Sequence, residues 1–281
     1  MFWRAILSIL ALATIGCSAI ETVPLEELAR TPAGAISNFL YPTSGGHAEA
    51  YLARPQGSGP FPLMILVHGH SFRSMGAERI LPAAETFASD LCYASLAVSL
   101  PNYGQTKVQV TTEPDTTLQV ILDALALAKK MPWIDPNRIF LYGFSRGVIF
   151  SSLLVTRIDG LRGVVFHSGA YDLDRLYRDS SNQWVRKMLN PNGDPHPKFF
   201  SILPAVSRWK APTLILHGTD DSLIPVNQAQ LLRAALDGAK TPYKLELFPG
   251  YGHRLPLTEV KEKTVSFLKE SSGTACKTTA P

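Results

Sequence analysis

Ser145 stands in Gly143-Phe144-Ser145-Arg146-Gly147, a G-x-S-x-G pentapeptide. A serine hydroxyl is a poor nucleophile at neutral pH and needs a base beside it. The pentapeptide becomes informative when a strand runs into it and a helix leaves it. Here an apolar, strand-like run at 139–142 precedes it and a helical run at 148–157 follows. A nucleophile on such a turn needs strained backbone angles, and the flanking glycines relieve the crowding. The helix N-terminus behind it favours developing negative charge.

Seven histidines are candidate bases. His68 and His217 end buried-type strands just before a glycine, and His167 ends another before Ser168-Gly169. These three are expected to shape the site. His70 follows His68-Gly69, and His47 and His196 fall in polar or proline-rich turns. His253, in Gly250-Tyr251-Gly252-His253, comes after the last strand and before the last helix, and chain order selects it. A carboxylate between the two should hold the imidazole in the right tautomer. The stretch 217–225, His-Gly-Thr-Asp-Asp-Ser-Leu-Ile-Pro, offers Asp220 and Asp221. Either aspartate also suits a helix N-cap.

The elements that must position these groups alternate along the chain. Residues 36–41 and 47–54 read as two strands around Ser44-Gly45-Gly46, a hairpin signal. The continuous apolar run at 63–67 fits a strand buried on both faces. Helical composition at 78–90 leads to strand character at 91–100. Pro114 opens a strong helix, where its missing N–H costs nothing, with Leu118, Ile121, Leu122 and Leu125 at helical spacing. Strands are expected at 138–142, 161–167, 212–217 and 243–248, and helices at 148–157, 226–237 and 258–270. This alternation predicts an α/β fold: a mostly parallel, doubly wound sheet with helices on both faces and an antiparallel hairpin at its start. The stretch 172–209 breaks the rhythm with four prolines and with Trp184, Phe199 and Phe200. It reads as a small cap over the carboxyl edge of the sheet, where ligands of open α/β sheets bind. The domain reading is a leader at 1–19, one catalytic domain at 20–270 with the cap inserted at about 172–209, and a polar tail at 271–281.

Composition bounds the function. The sequence of 281 residues is 46% hydrophobic and 18% charged, enough to bury a real core. A net charge of +4 without any Lys/Arg run gives nucleic-acid binding no support. No Cys/His spacing resembles a zinc site and no acidic run a calcium loop, so no metal and no cofactor are expected. Arg4, the apolar run 5–15 and the small residues Gly16, Cys17, Ser18 and Ala19 describe an export signal. Two processing routes stay open: cleavage after Ala19, or cleavage before Cys17 with lipid attached to its thiol. The protein is therefore expected outside the cytoplasm, either free or held to a membrane by that lipid. Cys92 and Cys276 could pair in an oxidising compartment, but Cys92 lies in an apolar run and Cys276 in a polar tail, and no structural bridge is expected.

Several of these segments together resemble one branch of the α/β-hydrolases, that of the dienelactone hydrolases and prolyl oligopeptidases. The segment 217–225 is similar to its H-G-x-x-D-x-x-[VI]-P signature, which puts Asp221 rather than Asp220 in the acid position. Asp135-Pro136-Asn137-Arg138-Ile139 before the pentapeptide resembles its D-P-x-R-I, and Ser168-Gly169-Ala170-Tyr171-Asp172 a further segment. His68-Gly69 ends a strand as in its oxyanion segment. The likeness covers roughly residues 45–270. It departs at Val148, where a second glycine is usual, and at His70, where H-G-G is usual. Dienelactone hydrolases proper use a cysteine nucleophile, and prolyl oligopeptidases carry a large propeller for which 281 residues leave no room.

The resemblance implies a small serine esterase acting on a small-molecule ester. Ser145 would attack, His253 would take its proton and Asp221 would orient the imidazole. The backbone N–H groups of Arg146 and His70 would bind the oxyanion, at about 2.7–4 kcal/mol per donor in another serine hydrolase. A free histidine titrates near 6.5, so activity should fall in acid. The Arg146 side chain has two readings, a charge placed near the substrate and a solvated first-turn group, and the second is favoured. A peptidase, a polyester or lipid hydrolase and a binding protein on the same scaffold are the rival readings. Acyl length, ester against amide, and oligomeric state are not written in these motifs.

Overall fold

The computed structural model describes residues 23–272. The expected export signal, with Cys17, and the tail containing Cys276 lie outside the described residues.

A short helix α1 (Leu25–Ala29) leads into the hairpin β1 (Ile36–Thr43) and β2 (Gly46–Ala53), paired antiparallel from Ile36↔Ala53 to Thr43↔Gly46. Then come β3 (Phe61–Val67), a 3-10 turn (Ala77–Ile80), α2 (Leu81–Leu91), β4 (Ala94–Val98) and the two-residue β5 (Lys107–Val108). The second half runs α3 (Asp115–Ala128), β6 (Ile134–Phe144), α4 (Arg146–Leu154), β7 (Leu161–His167), α5 (Leu173–Asp179) and α6 (Gln183–Leu189). It closes with a 3-10 turn (Leu203–Arg208), β8 (Thr213–Gly218), α7 (Asn227–Ala239), β9 (Tyr243–Phe248) and α8 (Leu257–Ser272). The strand order is β1-β2-β4-β3-β6-β7-β8-β9, with β5 paired to β2. From β4 to β9 every neighbouring pair is parallel, and β2 meets β4 antiparallel. This is the α/β-hydrolase sheet: mostly parallel, with antiparallel strands at its N-terminal edge.

All seven residues of β3 are buried, as a strand covered on both faces requires. One face packs Leu63, Ile65, Val67, Leu141 and Val164 against α3, α4 and α7. The other packs Met64, Leu66, Phe140 and Val165 against α2 and α8. Helix α4 is buried along most of its length, including Val148, Ile149, Phe150 and Leu154. A central helix of this kind is apolar all round because no face of it meets water. Val148, where a second glycine was usual, is fully buried in this core.

Within 172–209, Leu173, Leu176 and Val185 form a third cluster with Ile149 of α4 and Ile224. That cluster fastens α5 and α6 over the start of α4. Several details differ from the sequence reading, among them β6, expected over 138–142 and running Ile134–Phe144. The helix expected from 78 begins as a 3-10 turn and continues to Leu91. The strand expected over 91–100 shortens to Ala94–Val98, because Cys92 ends α2 in the left-handed region at φ 57°. Cys92 is also disulfide-bonded. The expectation of no bridge is thereby corrected: Cys92 is half-buried at a helix end rather than enclosed in the core.

Candidate active site

Strand β6 delivers Ser145 and α4 begins at the next residue. Ser145 sits at φ 53°, ψ −121°, outside the regions open to ordinary L-residues. Its neighbours make that strain tolerable. The Ser145 N–H donates to His167 O at 2.9 Å, and its carbonyl accepts from Val148 N at 2.9 Å. Gly147 has no room for a side chain: a Cβ there would lie 2.1 Å from Val67 O. The glycine lets α4 start directly against the end of β3.

Asp221 follows β8 and is buried. Its Oδ1 accepts from Leu223 N and Ile224 N, each at 2.9 Å, so the turn into α7 fixes the carboxylate. Its Oδ2 accepts from His253 Nδ1 at 2.7 Å. His253 Nε2 then lies 2.8 Å from Ser145 Oγ, placed to accept the hydroxyl proton. Three side chains from three separate loops thus form one hydrogen-bonded line.

Asp220, the other candidate, is exposed and accepts from the Thr219 hydroxyl at 2.7 Å. Its backbone N–H donates to Tyr251 O at 2.9 Å, tying the aspartate loop to the histidine loop. Gly218 makes that closeness physical, since a Cβ there would meet Tyr251 O at 2.2 Å and Gly252 O at 2.3 Å.

The other histidines take structural places. His68 is buried: its Nδ1–H donates to Gly69 O at 2.7 Å and its Nε2 accepts from Leu100 N at 3.0 Å. Burial depresses its pKa to about 4. His167 bonds the Tyr142 hydroxyl at 2.7 Å, and burial depresses its pKa to about 3. His217 donates to Ile224 O at 2.7 Å and stands 3.6 Å from Asp221 Oδ2; burial lowers its pKa too. All three are neutral at pH 7. His47 lies in β2 and His196 on the exposed surface of the cap.

The two expected oxyanion donors, Arg146 and His70, both stand beside Ser145. As first residue of α4, Arg146 carries an amide with no intrahelical acceptor. His70 follows Gly69, whose added Cβ would lie 3.1 Å from Ser145 Cβ, so this loop runs beside Ser145. The His70 ring is held by the Tyr103 hydroxyl at 2.6 Å and by the rings of Phe72 and Trp184 at 5.1 and 5.2 Å.

In front of Ser145 lies a cavity of about 350 Å³ under the cap, walled by Leu176, Trp184, Val185, Met188 and Ile149. The Arg146 side chain lines it with its Nε buried and its guanidinium 5.4 Å from the Phe150 ring centroid. Of its two readings the favoured one, a solvated group, is therefore corrected, and the side chain sits beside the cavity. Arg79 and Arg254, not singled out in the sequence, also line this cavity. Arg254 directly follows His253, and that adjacency was the available signal. Among the described residues no cluster of three His, Cys, Asp or Glu could hold a metal. Nor is any described helix long and apolar enough to cross a membrane.

The sequence profile of the prolyl oligopeptidase family matches residues 112–274. The chain belongs to that family. The profile of FrsA-like esterases matches residues 16–165, and the two overlap across the serine turn. The uncharacterized peptidase YuxL of Bacillus subtilis (strain 168) is 26% identical over 277 residues, 86% of this chain and 40% of its own. A putative carboxymethylenebutenolidase of Salmonella typhimurium is 26% identical over 240 residues, 79% of each chain. Among solved structures, a Pyrococcus horikoshii acylaminoacyl peptidase superposes with a TM-score of 0.71 at 15% identity, over 87% of this chain and 42% of its own. At that identity it shows the shared fold. Members of this α/β-hydrolase branch thus include proteins described as esterases and as peptidases. The chain spans about 40% of the length of YuxL.

Proposed function

We propose that this protein is a serine hydrolase that cleaves carboxylic esters through an acyl-enzyme on Ser145. The observation that carries the reading is the hydrogen-bonded line from Asp221 through His253 to Ser145 Oγ, at 2.7 and 2.8 Å. His253 Nε2 takes the hydroxyl proton as Ser145 Oγ bonds to the acyl carbon. The carbonyl π electrons move onto oxygen, and the N–H groups of Arg146 and His70 receive that oxyanion. As the oxyanion collapses, the C–O bond to the alcohol breaks and His253 returns the proton to the leaving oxygen. Water then adds to the acyl-enzyme with His253 as base, and the acid departs as Ser145 regains its proton. Asp221 stays ionised throughout and stabilises the imidazolium.

The cavity supports an ester of modest size. At about 350 Å³ it holds a small acyl group with its leaving group, and its wall is largely hydrocarbon. The match to the FrsA-like esterase profile supports the same reading. The likeness to YuxL, described as a peptidase, favours amide cleavage as the second reading. A panel of chromogenic esters and aminoacyl amides, run with wild type and Ser145→Ala, separates the two. Ester turnover that vanishes in the variant is expected. Turnover of amides alone would favour the peptidase, and ester turnover surviving in Ser145→Ala would sink the mechanism.

Export is part of the same proposal. The basic start and apolar run before Cys17 support it, and the disulfide at Cys92 fits an oxidising compartment. The mass of the mature N-terminus distinguishes a lipidated Cys17 from a free Ile20. An intact Met1 on protein recovered from its native host would contradict export.

A further inference from the structure

Three arginines surround the cavity in front of Ser145, each from a different segment. Arg79 belongs to the 3-10 turn before α2, Arg146 opens α4, and Arg254 follows His253. No aspartate or glutamate lines this cavity. None of the three guanidinium groups has an ion pair within 4.0 Å among the described residues. Arg146 carries the largest unmet demand, because its Nε is shielded from water and makes no hydrogen bond. The carboxyl group that feels its field is Glu113, which accepts from the Thr117 hydroxyl at 2.7 Å and does not line the cavity. Asp221 is committed to His253 and to two backbone amides. His70 adds no charge at neutral pH, since burial and the fields of Arg146 and Arg79 lower its pKa.

A cation partly removed from water is unfavourable unless an anion meets it. Guanidinium groups pair with carboxylates through two parallel N–H···O bonds. A cleft carrying one sign of charge between apolar walls also focuses its field and draws in ligands of opposite sign. Leu176, Trp184, Val185 and Met188 give the same cavity an apolar lining. From this arrangement we infer that the substrate is an amphipathic ester bearing a carboxylate, with its apolar body under the cap and its charge among Arg79, Arg146 and Arg254. The inference rests on the esterase reading and narrows it. It also disfavours substrates that present a free ammonium group near the scissile bond, because nothing in the cavity lining would receive one.

The test compares two 4-nitrophenyl esters with the same leaving group and chain: that of glutaric acid with its far carboxylate free, and that of monomethyl glutarate. In wild type the ratio of kcat/KM, free acid over methyl ester, is expected to be about tenfold or more, the factor that one good charged contact supplies. It should shrink as salt rises from about 0.05 to about 0.5 M. In an Arg79→Gln/Arg146→Gln/Arg254→Gln variant the ratio should fall to about one. If that variant does not fold, Arg79→Gln and Arg254→Gln, exposed at the rim, should each lower the ratio by about threefold. A wild-type ratio of one or below, or one unchanged in the variants, overturns the inference. A second arm needs no turnover. Calorimetry on Ser145→Ala should show monomethyl glutarate, with its one carboxylate, binding more tightly than dimethyl glutarate. Tight carboxylate binding without hydrolysis of either ester would sink only the esterase reading. Hydrolysis of both at equal efficiency would sink only the carboxylate assignment.

Discussion

The two carboxylate oxygens of Asp221 hold different partners, and this division defines the site at the scale of single residues. Oδ1 is fixed by the amides of Leu223 and Ile224, leaving Oδ2 for His253 Nδ1. Asp221→Asn keeps an acceptor for the two amides but turns an NH2 group toward Nδ1. The imidazole must then carry its proton on Nε2, where it cannot accept one from Ser145. Ester kcat is expected to fall by about 10⁴-fold, as for the same change in another serine hydrolase, while thermal stability stays close to wild type. A loss below about tenfold would remove Asp221 from the relay. Residue types and chain order made Ser145 and His253 legible in the sequence and left two aspartates, Asp220 and Asp221, between which only the resemblance to the H-G-x-x-D-x-x-[VI]-P signature chose. For Arg146 the sequence offered a charge near the substrate and a solvated position, and could not decide between them. Whether a first-turn arginine points to solvent or into a cavity depends on the cap above it, and the cap's path is written in no local motif.

At the scale of elements, the site is an agreement between loops from distant parts of the chain. The hydrogen bonds from Asp220 N to Tyr251 O and from Gly250 N to the Thr219 hydroxyl lock the aspartate loop to the histidine loop. Gly218 allows this contact, so Gly218→Ala should push the two loops apart without touching any reacting group. Displacements of about 1 Å can cost about 10²-fold in rate. We expect a drop of that order in kcat with the far-UV spectrum retained. Unchanged kcat would mean that the loop contact does not set the relay. Strand and helix alternation was readable from apolar runs and breakers. The two-residue β5 was not, because its residues Lys107 and Val108 have no strand pattern of their own and are recruited by Gly46 and His47 of β2.

At the scale of the whole molecule, the buried histidines couple stability to pH. His68 and His167 have pKa values pressed to about 4 and about 3 by burial. An unfolded histidine titrates near 6.5. Between those values the unfolded chain binds protons that the fold does not, so stability rises with pH there. Their contribution is complete above about 6.5 and is lost as pH falls from there toward the folded values. Each adds a slope of up to about 1.4 kcal/mol per pH unit. Urea midpoints at pH 5, 6 and 7 should therefore climb with pH. In His167→Gln, where the amide oxygen can still accept from Tyr142, the climb should be shallower. An equal slope in variant and wild type would refute a neutral His167 in the fold. The disulfide at Cys92 belongs to this scale as well; the sequence offered a second thiol but could not decide the pairing, since bridging depends on where the chain brings it.

The relay itself is tested most directly by covalent capture. Folded protein is treated with a fluorophosphonate, which reacts with activated serine hydroxyls, and the adduct is mapped by peptide mass. The account predicts a single adduct, on Ser145, whose formation slows by orders of magnitude in His253→Ala. A natively folded protein that takes no adduct, or takes it on another serine, or labels equally fast without His253, would contradict it.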